Sequence, residues 1–257
     1  MITRALLPLL FLATPFFANG ALAGSFTPPQ GCTTTLTVQS RGCYVANYYT
    51  CEKDNPGDKW RADFDQEGMF YMSKIDRETQ WMESYDLNPT VIQTLDPNPK
   101  DPANFSSLLA TGRDDFDFSL SKDNGEHTNV KGYDKLTGET ATIDGVTLQR
   151  TEFEYVETDD AGNELRKSHG HEYISAEWRN FFSGQSEWWD GTQWLPLEGS
   201  PVQFILPGEK GFAATQPIFE CDAVMSEATP LERLWRASSQ NPTGAAAAAP
   251  IAASPKE

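Results

Sequence analysis

In DDFDFSLS, residues 114 to 121, apolar and polar side chains alternate without a slip. Phe116, Phe118 and Leu120 fall on one side of an extended chain, and Asp115, Asp117 and Ser119 on the other. A period of two commits the segment to a strand with one packed and one wet face, because a helix would scatter the same residues around its axis. The nearby ETATIDGVTLQR adds a second constraint. Its Asp144-Gly145 pair marks a tight hairpin turn that sets Ile143 opposite Val146 and Glu139 opposite Arg150, so apolar and charged partners agree on one register.

The same pattern runs through most of the chain. KWRADF, MFYMSKID and TQWMESYD are short aromatic-rich runs that read as a meander of strands. Later, TEFEYVET turns at DDAGN and returns through LRKSHGHEYI, and EWRNFFSG, SEWWDGTQWLPL and PVQFIL add more strands, the middle one around an Asp190-Gly191 turn. Between these blocks, residues 87 to 101 carry three prolines and read as turn-rich. A helix is expected next, with Asp101 as its cap, Pro102 at its first position, Phe105, Leu108 and Leu109 on one face and Gly112 at its end. A second short helix is expected after Thr229-Pro230-Leu231-Glu232, with Leu231, Leu234 and Trp235 as its apolar stripe. Residues 240 to 257 mix alanine with Pro and Gly, offer nothing to bury, and read as a disordered tail.

The first 23 residues have a basic start ending at Arg4, an apolar run and small residues at Ala21 and Ala23, the layout of a secretory signal peptide cleaved between Ala23 and Gly24. No later segment offers the long apolar run of a membrane-spanning helix. The expected mature chain, one β-rich domain over 24 to 239 followed by the tail, loses Arg4 and keeps 19 basic against 37 acidic residues, a net charge near −18. That field disfavours nucleic acid as a partner. Export also suits the four cysteines, which read as two disulfides with three pairings available. A two-residue turn at Arg41-Gly42 places Ser40 opposite Cys43 and carries Cys32 opposite Cys51 in a widely spaced, hydrogen-bonded pair, which leaves Cys43 for Cys221.

Two of the three histidines, His169 and His171, sit at i and i+2 and share a strand face. A short DDAGN loop brings them opposite Glu154 and Glu152. Two imidazoles and two carboxylates are metal-binding chemistry, but the same register places Phe153 and Tyr155 on the buried face and makes the His/Glu positions, with Lys167, a solvated ladder of weak charge pairs. The ladder is the preferred reading, and no metal or cofactor is assigned. His127, beside Glu126 after a turn, reads as a surface residue. Gly162, His169, His171, Glu177 and Gly184 follow the order of the first motif of the cupin family, with gaps that differ by about one residue and no later histidine. Asp63, Asp65, Glu67 and Gly68 resemble the start of an EF-hand loop whose twelfth position is Lys74 instead of a glutamate. EFEYVE is similar to a signature of laminarinase-like glycoside hydrolases, but Glu152 and Glu157 fall on opposite faces of a regular strand. There is no nucleophile elbow and no phosphate-binding loop, so no catalytic residue is assigned.

Together these readings give a mainly β fold, an antiparallel meander curved into a barrel or half-barrel with one or two short covering helices. Signal, size, strand-rich layout and covering helix resemble the LolA/LolB type of periplasmic lipoprotein-binding half-barrel at the level of architecture. The sequence is also similar to uncharacterised exported proteobacterial proteins, a likeness that implies no activity. The resemblance implies a periplasmic, non-enzymatic protein for an apolar small molecule or an envelope partner, with Phe116, Phe118, Leu120, Phe153 and Tyr155 as lining residues if the sheet is hollow. Tryptophans at 188, 189 and 194 keep open a secreted carbohydrate-binding or carbohydrate-active protein, and the histidine pair a metal-dependent β-barrel enzyme. The sequence assigns no oligomeric state.

Overall fold

The computed structural model describes residues 24–87 and 89–221. The expected signal peptide, the helix after Thr229 and the tail lie outside the described residues. The elements are β1 Cys32–Ser40, β2 Tyr44–Cys51, β3 Lys59–Phe64, β4 Met69–Ile75, β5 Trp81–Leu87, β6 Thr90–Leu95, α1 Phe105–Thr111, β7 Arg113–Lys122, β8 His127–Ile143, β9 Val146–Thr158, β10 Glu164–Ser175, β11 Asn180–Phe182, β12 Gln185–Trp189, β13 Trp194–Glu198 and β14 Pro201–Ile205. They form one antiparallel sheet in the order β13-β12-β10-β9-β8-β7-β6-β5-β4-β3-β2-β1-β14, with β11 on the lower half of β10.

This order determines the shape. The two outermost strands, β13 and β14, are consecutive in the chain and separated only by Gly199 and Ser200. The sheet must therefore curl until its edges meet. They meet without pairing: the Tyr44 hydroxyl donates to Gly199 O (2.9 Å), Arg41 N–H to Ser200 O (2.9 Å), and Trp178 and Phe182 pack on Phe204 across the seam. One end of the curled sheet is closed by α1, whose Phe105 and Leu108 bury against Leu136, Ile174 and Phe181 on the inner face. Arg179 fastens this closure by donating to Glu78 Oε2 (2.8 Å) and Ser106 Oγ (2.9 Å).

Cys32–Cys51 and Cys43–Cys221 are both formed. The register that predicted the first reaches it by another route. The β1–β2 turn has three residues, with Gly42 and Cys43 both at positive φ, and Ser40 pairs with Tyr44 instead of Cys43. A bulge between Thr34 and Leu36 takes the extra residue back, so Cys32 again faces Cys51. Their Cα atoms are 3.9 Å apart, the close spacing of a non-hydrogen-bonded pair and not the wide one expected.

Three further expectations need correction. Residues 87 to 101 are not turns throughout, because TVIQTL between the prolines forms β6, where β-branched residues favour extended chain. The cap of α1 is Asn104, whose side chain accepts from Ser107 N–H (2.8 Å); Asp101 instead forms a two-way backbone bridge with Asp117. Gly112 does end the helix, at φ 85°. In the third place, Trp189 pairs with Trp194, so the β12–β13 turn spans residues 190–193, and Asp190 accepts N–H bonds from Thr192 and Gln193. The β8–β9 hairpin pairs Ile143 with Val146 as expected, then bulges, yet Arg150 still lies 3.3 Å from Glu139.

Around β1–β3 both sheet faces are buried. Val45, Tyr49, Ala62 and Phe64 on the outer face are covered by Phe26, and Tyr49 stacks on Trp60 (5.9 Å). Thr37, Gln39 and Asn47 are buried on the same face and hydrogen-bond the returning 213–218 segment, which Cys221 ties to Cys43.

Candidate functional site

Strand register sets what faces the inside. Along one row Ala46, Asp63, Tyr71 and Asp86 stand abreast; along another Asp114, Asp134, Phe153 and Gly170; along a third Leu136, Thr151 and Glu172. Many of these residues are half-buried although the sheet wraps around them. Arg61 and Arg166 each keep 33% of their side-chain surface accessible. Burial nevertheless raises the carboxyls beside them: Glu172 is pushed up to about 8, with Asp134 adding to burial and Arg61 opposing it. Asp134 is pushed up to about 7 by burial and by Asp114. Burial also lifts Asp86 to about 6, against Arg166 and Lys122, and Asp114 to about 6 in spite of its bond from Asn104 N–H. These half-buried ionisable groups share the concave face of the sheet with apolar side chains.

One side of this concave face is apolar. Phe118 and Leu120 are buried with Val130, and Leu95, Phe116 and Tyr155 pack against them. Trp81 leans over Phe118 (5.9 Å) and Tyr155 (6.2 Å), and Phe153 stacks on Tyr155 (6.3 Å). All five residues expected to line a cavity therefore lie on the inner face. Phe118 and Leu120 are its packed floor, and Phe116, Phe153 and Tyr155 are half-buried. Gly132 makes this wall compact, since a Cβ there would meet Tyr155 Cβ at 2.7 Å and Phe116 Cζ at 2.8 Å.

The opposite side is ionic. Arg61 pairs with Asp63 at 3.0 Å, and Arg166 lies 3.8 Å from Glu157. Arg61 Nε and Asp63 Oδ1 are buried without a hydrogen-bond partner, as is Thr151 Oγ1 in the row of Glu172. Tyr44 feels the charges of both Arg61 and Asp63, and it also lines a cleft of about 740 Å³ that opens along the seam. Phe70 and Asp65 flank that cleft from one side and Trp188, Leu195 and Leu197 from the other.

The histidine pair borders the same cleft. His169 stands opposite Glu154 and His171 opposite Glu152, in the register read from the sequence. The imidazoles do not converge: His169 Nε2 lies 3.2 Å from Glu187 and its ring meets Trp194, while His171 Nδ1 is 3.2 Å from Thr151 O and Glu152 binds Lys135 (2.8 Å). Among the described residues no group of three or more His, Cys, Asp or Glu side chains is arranged to hold a metal ion. The EF-hand-like residues build a turn, with Asp65 Oδ1 accepting from Glu67 N–H and Gly68 N–H. Glu157 faces Arg166 on the inside while Glu152 meets Lys135 outside, so the two do not form a pair.

Sequence reasoning missed the inner carboxyls. The phase that puts His169 and His171 outside puts Glu172 inside with Ile174, and the same alternation carries Asp134 inward with Gly132 and Val130. A charged residue in phase with the apolar face was the available signal. His127 was missed for another reason: its partners Asp96 and Asp160 are remote in sequence. No family model matches the chain, and no curated protein or solved structure matches it.

Proposed function

We propose that this is an exported, non-enzymatic binding protein that takes a small amphipathic molecule into the hollow of its curved sheet. The observation that carries the reading is the lining itself, an aromatic wall of Phe116, Phe153, Tyr155 and Trp81 facing half-buried polar groups that a filled core would have excluded or paired. Two disulfides suit an oxidising compartment such as the periplasm. Export would rest on a signal peptide over residues 1–23. The test is uptake of an environment-sensitive apolar fluorophore by the native protein. Phe153→Ala should weaken uptake at least several-fold with little loss of stability. No uptake, together with a Phe153→Ala cost as large as that of Phe118→Ala, would mean a filled core and end the carrier reading.

One observation favours a second reading, carbohydrate binding on the outer face. Trp194 is exposed, edge-on to Trp189 (5.5 Å) and to His169 (4.2 Å), with Lys167 over both indoles. Exposed aromatic faces flanked by hydrogen-bonding groups are what a sugar ring stacks on. Oligosaccharide binding that Trp194→Ala abolishes and Phe153→Ala leaves intact would favour it over the hollow.

A further inference from the structure

We propose that the ligand of the hollow carries an ammonium group, seated between Asp134 and Glu172 against the aromatic wall. This rests on reading the hollow as a binding site. Charge matching inside the sheet comes first. The two guanidinium groups that face inward have carboxylates of their own, Arg61 with Asp63 and Arg166 with Glu157, and Lys122 binds Glu126 at 3.0 Å. Asp114 accepts the Asn104 N–H at 2.7 Å. Asp134 and Glu172 have neither a hydrogen bond nor an ion pair among the described residues, although they repel each other across β9.

A second observation at the same place is independent of their acidity. Thr151 stands next to Glu172 in the inner row, is fully buried, and its hydroxyl has no partner. A buried hydroxyl left unmatched costs stability unless something bonds it, and its oxygen can accept an N–H from a ligand. The surroundings name the kind of donor. Phe153 lies in the row of Asp134, with Tyr155 stacked on it and Phe116 nearby across Gly132. Rings attract an organic cation through their negative faces, and carboxylates supply the counter-charge; a free anion or a neutral chain would use only half of this lining.

Binding must be coupled to protons. The charged and titratable groups facing the pair are Asp114 from β7 and Arg61 from β3, with Tyr155 from β9 beside Glu172. Of these only Arg61 favours ionisation of Glu172, and burial opposes it at both carboxyls. The pair is thus largely protonated in acid, and a cation that selects the ionised form displaces protons, so affinity rises with pH across the neutral range.

The experiment compares decylammonium, decanol and decanoate, one apolar chain with three heads, by calorimetry below their aggregation limits. The proposal expects decylammonium to bind at least tenfold tighter than the other two at pH 8, with proton release seen as a heat that depends on buffer ionisation. Weakening toward pH 5.5 should accompany it. Asp134→Asn with Glu172→Gln should lose that tenfold preference; the proton release of the unmodified protein tests the same point without a variant. Equal binding of all three heads, or a preference for decanoate, overturns the ammonium assignment while leaving the hollow as a site. Preference for the cation that survives in the double variant is general attraction to an acidic surface, and also overturns it. Binding of none of the three, in a protein that takes up no apolar fluorophore, removes both the assignment and the reading beneath it.

Discussion

His127 Nε2 lies 2.6 Å from Asp96 Oδ2, and the opposite ring nitrogen meets Asp160, so one imidazole joins the end of β6 to the β9–β10 loop. The hydrogen bond to Asp160, then that to Asp96, holds the ring proton and raises the His127 pKa above its usual value. A group that binds its proton more tightly when folded stabilises fully below the unfolded value, ~6.5, and loses that contribution as pH rises through the folded value. Asp96, held low by Ser121 and His127, acts in the other direction, losing its contribution as pH falls through its own lowered value in acid. All three side chains are partly exposed, so the sum is about 1 kcal/mol or less. His127→Gln should therefore destabilise measurably in urea titrations at pH 6 and hardly at all at pH 9. A difference that is the same at both values would show that the ring acts by packing and not by charge.

Phe118→Ala and Phe153→Ala separate floor from lining. Phe118 is 4% exposed and touches Trp81 and Phe116, so its removal should cost roughly 3–5 kcal/mol, as for a buried ring. Phe153 is only half-buried, and its loss should cost about 1 kcal/mol, a typical value for a point change away from a packed core. Urea midpoints of the two variants test the ordering.

Cys43–Cys221 joins residues 178 apart and holds the strap that covers the outer face of β1 and β2, whereas Cys32–Cys51 closes a hairpin. Loop-closure entropy predicts roughly 5 kcal/mol for the first bond and about 3 kcal/mol for the second. Cys221→Ser paired with Cys43→Ser should lower the melting temperature more than Cys32→Ser paired with Cys51→Ser. It should also open Gln39 and Asn47 amides to hydrogen exchange.

What was legible in the sequence was local. Alternation in DDFDFSLS, the Ile143/Val146 turn and the His169/Glu154 register all follow from side-chain period and turn chemistry over a few residues, and the sheet follows them. The β1 register was reached although the turn was misjudged, because the bulge near Thr35 offsets the longer loop. Closure was not legible. Nothing local says that β13 and β14 lie at opposite edges, and only that fact curls the sheet back on itself. Thr37, Gln39 and Asn47 look solvated by alternation and are buried, because a segment from residues 213 to 218 returns over them. Asp134 and Glu172 were passed over since a charge on the apolar face reads as noise until the space it faces is known.

Gly132 offers the most direct test of the inner wall. Its backbone is not in the left-handed region, so alanine carries no conformational penalty there, and any effect is one of space. The added methyl would lie 2.2 Å from Glu154 O, 2.7 Å from Tyr155 Cβ and 2.8 Å from Phe116 Cζ, all shorter than real contacts. The two aromatic side chains must move apart, or the β8–β9 ladder must open. Gly132→Ala should cost about 1–3 kcal/mol, the range for overpacking, and should weaken uptake of an apolar fluorophore because Phe116 and Tyr155 are the wall it meets. Gly138→Ala is the control. There a Cβ meets nothing within 4 Å, but φ is +82°, so alanine costs about 1 kcal/mol through the backbone alone and should leave uptake unchanged. If both variants lose stability and neither loses uptake, the fluorophore binds away from this wall, and the hollow is not where ligand is held.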